Sequence, residues 1–305
     1  MSTTIIEKLV AAGGALVGNT FRAIAGRRED TGVAVPFRVD YLGQLRSVPG
    51  LGINDPFGRS RMSLPVGLID VKQVLDNAPL LLDTATVGGG TAIYSQNIAS
   101  TNMNLTAANG DSVIRQTKQY APYQPGRSQL AILTGVMGAL KTNVWQGIGY
   151  FDTNNGLFFQ QNGVSLSVVR RTFATGVAVD NIVDQASWNL DTLDGSGNSG
   201  NPSGVSINTA KIQVFIIDFS WLGSGGGRLG FLFLNAIGEA RIVYCHQFVA
   251  ANTLTSVYMS TPTLPLRWEI RTLPPRRRAQ QWFRRAGPCS RKEDSTHGAT
   301  TSLNP

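Results

Sequence analysis

Three apolar runs, 144–151, 157–160 and 164–171, are separated only by Asp152-Thr153-Asn154-Asn155-Gly156 and Gln161-Asn162-Gly163. Tight turns rich in Asn and Gly supply backbone positions with φ > 0 and link such runs into an antiparallel meander. Further strands are expected over 112–120, 128–137, 211–219, 228–235, 240–249 and 264–270. Strands do not alternate with helices here, and the turns are Gly-rich. The chain should therefore be mainly β, with an antiparallel sandwich or jelly-roll body. Within 212–219, Ile212, Val214, Ile216 and Asp218 share one face, and Gln213, Phe215, Ile217 and Phe219 share the other. Both faces are largely apolar, which predicts a central strand covered on each side. Composition agrees. Charged residues are only 15% and Gly is 34 of 305, too little charge to solvate helix surfaces, while 42% hydrophobic content is too high for a disordered chain.

The two ends read differently from the body. Ile5, Ile6, Leu9, Val10, Leu16, Val17, Phe21 and Ile24 keep nearly helical spacing over 3–26. A signal peptide competes with a docking or anchor helix. Glu7 and the glycines at 13, 14 and 18 argue against the signal peptide, although each glycine also weakens the helix by about 1 kcal/mol relative to Ala, and the docking or anchor helix is the preferred reading. Residues 27–67, rich in Gly, Pro and Arg, resemble an extended arm in which 33–39 is the strand-like run. The expected organisation is a helix and linker anchor over 1–35, a β body with its N-terminal arm over 36–270, and a basic, disordered tail over 271–305. The net charge of +8 sits mostly in that tail, where eight basic residues face two acidic ones, so the first 270 residues carry only +2. A nucleic-acid partner is accordingly disfavoured, although Trp282-Phe283-Arg284-Arg285 has the residue types that stack bases and neutralise phosphates. The apolar stretch near the N-terminus is too short to cross a bilayer, so no membrane partner is expected.

The sequence offers little for catalysis. Two Cys (245 and 289) and two His (246 and 297) supply no zinc set of usual spacing. Cys245 reads as a buried free thiol, with a Cys245–Cys289 disulfide left open; alternation puts His246 on the opposite face, as an ordinary strand histidine. Gly225-Gly226-Gly227-Arg228-Leu229-Gly230 matches G-x-G-x-x-G, but a strand follows where a phosphate site needs a helix. The carboxylates Asp83, Asp111, Asp152, Asp180, Asp184, Asp218 and Glu269 are scattered; a glycosidase would need two of them in one cleft. The loop 191–204 carries Asp191 and Asp194 among glycines, oxygen ligands of the kind Ca²⁺ takes, but an ordinary polar loop is the preferred reading and no cofactor is expected. Trp188 and Trp221, near long loops, are candidates for stacking on sugars. A non-enzymatic protein is expected.

Six ordered segments carry a resemblance. They are Asp55-Pro56-Phe57-Gly58-Arg59, 70–77 (DVKQVLDN), 123–130 (YQPGRSQL), 149–159 (GYFDTNNGLFF), 216–223 (IIDFSWLG) and 256–267 (SVYMSTPTLPLR). Together they resemble a group of virion structural proteins from tailed phages and related aquatic viruses. That resemblance implies a capsid spike, vertex or decoration protein, or a tail-fibre component. Its partners would be copies of itself, other virion proteins and host-surface glycans, and its location the virion, assembled in host cytoplasm. It implies no catalytic residues. The alternative function is a carbohydrate-binding, receptor-recognising module of the virion surface. The chain departs from the pattern at its expanded 223–227 loop and after Ile270. There the expected run SEGGFNPRGY is missing, yet codons for 289–302 read from the third base of Cys289 can encode QSEGGFNPRGYNFS. A frameshifted tail is the resulting expectation.

Overall fold

The computed structural model describes residues 66–234, 238 and 240–273, together with two short strands, β1 (Ala25–Arg27) and β2 (Ala34–Pro36), which pair antiparallel. The helix expected over 3–26 lies outside the described residues except at its end. Ala25 and Gly26 are strand rather than helix. The tail beyond Leu273 and its frameshift reading also lie outside them.

β8 (Val144–Phe151), β9 (Gly156–Asn162) and β10 (Ser165–Thr172) form the expected meander, with Gly156 and Gly163 at positive φ in the two turns. Asp152 tightens the first turn by accepting from the Asn154 and Asn155 amides, each at 2.7 Å. The meander continues into β11 (Val179–Asp184) on one side. On the other side it pairs with β15 (Leu266–Thr272), then β6 (Ser112–Thr117), then β3 (Leu82–Val87). The order of this seven-stranded antiparallel sheet is β11-β10-β9-β8-β15-β6-β3. A second sheet runs β14 (Ala240–Val249), β13 (Gly226–Leu234), β12 (Gln213–Ser220), β7 (Gln129–Gly135). β4 (Thr91–Ser95) and β5 (Ser100–Asn104) form a separate hairpin. The last strand reaches Thr272, two residues past the boundary expected at 270, because Arg271 and Thr272 stay in register with Trp145 and Val144.

The two larger sheets pack face to face as a sandwich. Ile148, Tyr150, Leu157, Phe159, Leu166 and Val168 from one meet Leu133, Phe215, Ile217, Phe219, Leu229, Phe231, Val243 and Cys245 from the other. Aromatic rings make the closest junctions: Phe159 stands 5.3 Å from Phe215 and 4.7 Å from Phe231, and Tyr150 stacks on Phe219 at 5.1 Å. Such pairs add about 0.5–1.5 kcal/mol each beyond the area they bury.

The far face of the seven-stranded sheet holds a second, smaller cluster of Trp145, Phe151, Phe158 and Val169. Gly147 makes room for it: a Cβ there would lie 2.5 Å from the Trp145 ring. Guanidinium groups lie over these rings, Arg171 over Phe158, Arg267 over Phe151 and Arg271 over Trp145 at 5.1, 5.4 and 4.2 Å. Asp180 holds Arg171 at 2.7 Å and Glu269 holds Arg267 at 2.9 Å. Charged stems and paired heads thus cover an aromatic layer.

Candidate functional site

β12 is an interior strand, as its two apolar faces require, but its outward face is not covered along its whole length. Alternation aims Leu130, Ile132, Thr134 and Val136 of the β7 edge outward beside Ile212, Val214 and Ile216. Leu232, Leu234, Ile242 and Tyr244 continue that face across β13 and β14. Ile132 is 56% exposed, Val136 56%, Ile212 75% and Leu234 70%. Four strands about 4.8 Å apart, with outward rows spanning about 20 Å, give this face about 400 Å² in projection, within the range of the largest apolar patch on a single protein, which is often functional; Ile216 at its centre is buried. Further along the face Asp218, fully buried, accepts from Arg228 Nη2 at 2.9 Å and from the Tyr244 hydroxyl at 3.0 Å. The Arg228 guanidinium lies 4.3 Å over the Tyr244 ring.

One end of the sandwich is closed by the loops around 121–127, 220–226 and 250–264. Trp221 and Tyr123 meet there edge to face at 5.5 Å, both half-buried, and the Trp221 indole donates to the Met259 carbonyl at 3.0 Å. The Tyr123 hydroxyl accepts from the Leu222 amide, and Leu222 itself is held at φ 42°, a strained conformation for a branched residue. Below it Tyr258 donates to Ser220 O, and Tyr150 donates to Pro262 O while accepting from the Leu264 amide. Burial holds both phenols well above their ordinary pKa, Tyr150 at about 12.

Trp188 does not join Trp221. It is buried in the core, and its indole N–H donates to Val183 O at 3.1 Å, so neither ring face is offered to a sugar. The 191–204 loop is built around its own hydrogen bonds. Asp191 accepts from the Leu193 amide, Asn201 Nδ2 and the Ser203 amide at 2.9, 2.9 and 3.0 Å. Asp194 accepts from the Ser196 amide at 2.8 Å; the Ser196 side chain, and then that amide, hold its carboxyl below the usual range. The Asp191 carboxylate that a Ca²⁺ reading requires is thus engaged by the loop's own donors. No group of three or more potential metal ligands occurs among the described residues.

Cys245 is buried and free, its thiol donating to Leu229 O at 3.3 Å and pushed up in pKa by desolvation. His246 departs from expectation. A bulge lets Leu229 pair with His246 and Gly230 with Tyr244, which resets the alternation and buries Cys245, His246 and Phe248 alike. His246 Nδ1 accepts from the Asn189 amide at 3.3 Å, and burial lowers its pKa to about 4. The 225–230 glycines lie in or beside β13, so no helix N-terminus follows them.

The strand expected over 128–137 is present as β7, but its place at the sheet edge had no local signal. The Tyr123–Trp221 pair joins residues almost a hundred positions apart and left no local signal. No helix among the described residues is long and apolar enough to cross a membrane.

No family model matches the chain, and no curated protein matches it. Among solved structures, the legume lectin-like domain from Entamoeba histolytica is similar over 69% of this chain and 91% of that one, at 13% identity and a TM-score of 0.33.

Proposed function

We propose that this protein is a non-enzymatic structural component of a virion, a spike, vertex, decoration or tail-fibre subunit. It assembles with a second copy of itself through the outer face of the four-stranded sheet. The observation that carries this reading is the exposed apolar field of Ile132, Val136, Ile212 and Leu234 on an otherwise finished sandwich. A sheet face of this kind suits an isologous contact, in which the same rows meet across a twofold axis. The six segments resembling virion proteins supply the setting. Cryo-EM of purified virus particles whose genome encodes this chain should show this sandwich as a repeated density. Particles with no density for the chain overturn the proposal.

A second reading, carbohydrate binding at the virion surface, is favoured by the half-buried Tyr123–Trp221 pair on the loop-bearing end. Loops at the end of a sandwich can offer an aromatic edge and polar groups to a sugar. Glycan-array binding that disappears in Trp221→Ala and persists in Trp188→Phe supports it; an array without signal removes it.

A further inference from the structure

Three arginines of the described body are buried, and two have partners. Arg115 donates to Thr84 Oγ1 at 2.8 Å and to the Asn77 carbonyl, and Arg267 pairs with Glu269. The third is Arg170, on the core-facing side of β10 with Leu166 and Val168. It is only 9% exposed, yet its guanidinium forms no hydrogen bond or ion pair. Its Nε is sealed from solvent without an acceptor, as are those of Arg115 and Arg267, but those two guanidinium groups have other partners and this one has none. Its neighbour Arg171, on the opposite face, shows what is missing: a two-pronged contact with Asp180 at 2.7 and 2.8 Å.

The surroundings of Arg170 are specific. On β9 it is opposite Leu157, and on the edge strand β11 it is opposite Asn181, which is exposed. The Phe248 ring of the facing sheet lies 5.8 Å from its guanidinium carbon. Tyr258 interacts with it electrostatically but spends its own hydroxyl proton on Ser220 O. His246, packed edge-on against Phe248, is neutral near pH 7 and brings no negative charge. No carboxylate among the described residues serves it.

A guanidinium cannot shed its charge as a lysine can, and an unpaired buried charge is strongly unfavourable. Its planar fork matches two oxygens of one oxyanion. We propose that Arg170 anchors an oxyanion-binding site at the β11 edge of the sandwich, lined by Phe248, Tyr258 and Asn181. The ligand is a carboxylate, as on a uronic acid sugar, or a phosphate. The site stands independently of the assembly reading, because it lies at the β11 edge of the seven-stranded sheet and not on the outer apolar face of the four-stranded one.

The test is thermal unfolding of the full chain in chloride buffer of constant ionic strength, titrated with sodium glucuronate in one arm and sodium phosphate in the other. At least one arm should raise the midpoint saturably, by about 3–6 °C at ten times the dissociation constant. The responding arm identifies the source: glucuronate alone points to an acidic glycan, phosphate alone to a phosphorylated ligand. Arg170→Gln should abolish the rise. Should that variant not fold, Arg170→Lys keeps the charge, loses the fork, and should bind about tenfold more weakly. No saturable rise in either arm overturns the proposal, as does an equal rise in a folded Arg170 variant.

Discussion

The Phe159 ring of the seven-stranded sheet stands 4.7 Å from the Phe231 ring of the four-stranded sheet, and both side chains are fully buried. This contact ties the sheets at their centre, with Phe215 5.2 Å from Phe231 completing the triangle. Phe159→Ala opens a cavity between layers that cannot close without moving a whole sheet. It should lower stability by about 3–5 kcal/mol, read as a fall in the urea midpoint.

Gly149 tests the close approach of neighbouring strands. A Cβ there would lie 2.6 Å from both the Leu157 carbonyl oxygen and Phe158 Cα, backbone atoms that cannot rotate away. Gly149→Ala should cost at least the upper end of the about 1–3 kcal/mol typical of overpacking. Gly126→Ala meets nothing within 4 Å and is strained only by its φ of 79°, so it should cost less. Comparing the two chemical-denaturation curves decides it.

Asp218 is fully buried against Arg228 and Tyr244. Asp218→Ala removes the carboxylate and leaves the guanidinium and phenol without that acceptor, at a cost of about 3–5 kcal/mol. Asp218→Asn, which keeps an acceptor oxygen, should lose less. Paired denaturation midpoints test the ranking.

His246 should make stability pH-dependent. Its pKa is about 4 when folded and near its ordinary 6.5 when unfolded, so the unfolded chain binds more protons between those values. Its contribution is complete above pH 6.5 and is lost as pH falls toward 4, by at most about 3 kcal/mol. Protonation would also place a proton on Nδ1, which now accepts from the Asn189 amide. His246→Gln should flatten the unfolding-midpoint profile between pH 4 and 6.5.

The meander and the large sheets were legible because apolar runs and Gly-Asn turns are local signals; the ranges 144–151 and 240–249 coincide with β8 and β14. β3, β4, β5 and β11 were not foreseen. Thr and Asn dominate Ser100–Asn104, and Val179–Asp184 is an exposed edge strand whose pairing with β10 supplies what its weak apolar pattern does not. β6 follows the Asn109-Gly110 turn, yet its partners are β3 and β15, choices set by sheet packing. The site was partly legible. Asp218 stood out as an acid in a buried strand, whereas Trp188 could be assigned to the core only once Val183 O was seen to accept its N–H. The bulge that buries His246 depends on register with β13, which no single strand's sequence carries.

Sedimentation velocity of the full chain tests the assembly surface most directly, comparing wild type with Ile132→Asp/Leu234→Asp. Both positions are exposed, so the substitutions leave the core intact, as an unchanged circular dichroism spectrum would verify. The wild type should show concentration-dependent self-association at concentrations on the order of 100 µM, as suits a small contact, and the double variant should stay a monomer. A monomeric wild type, or a folded variant that sediments as the wild-type oligomer does, would contradict assembly through the outer face of the four-stranded sheet.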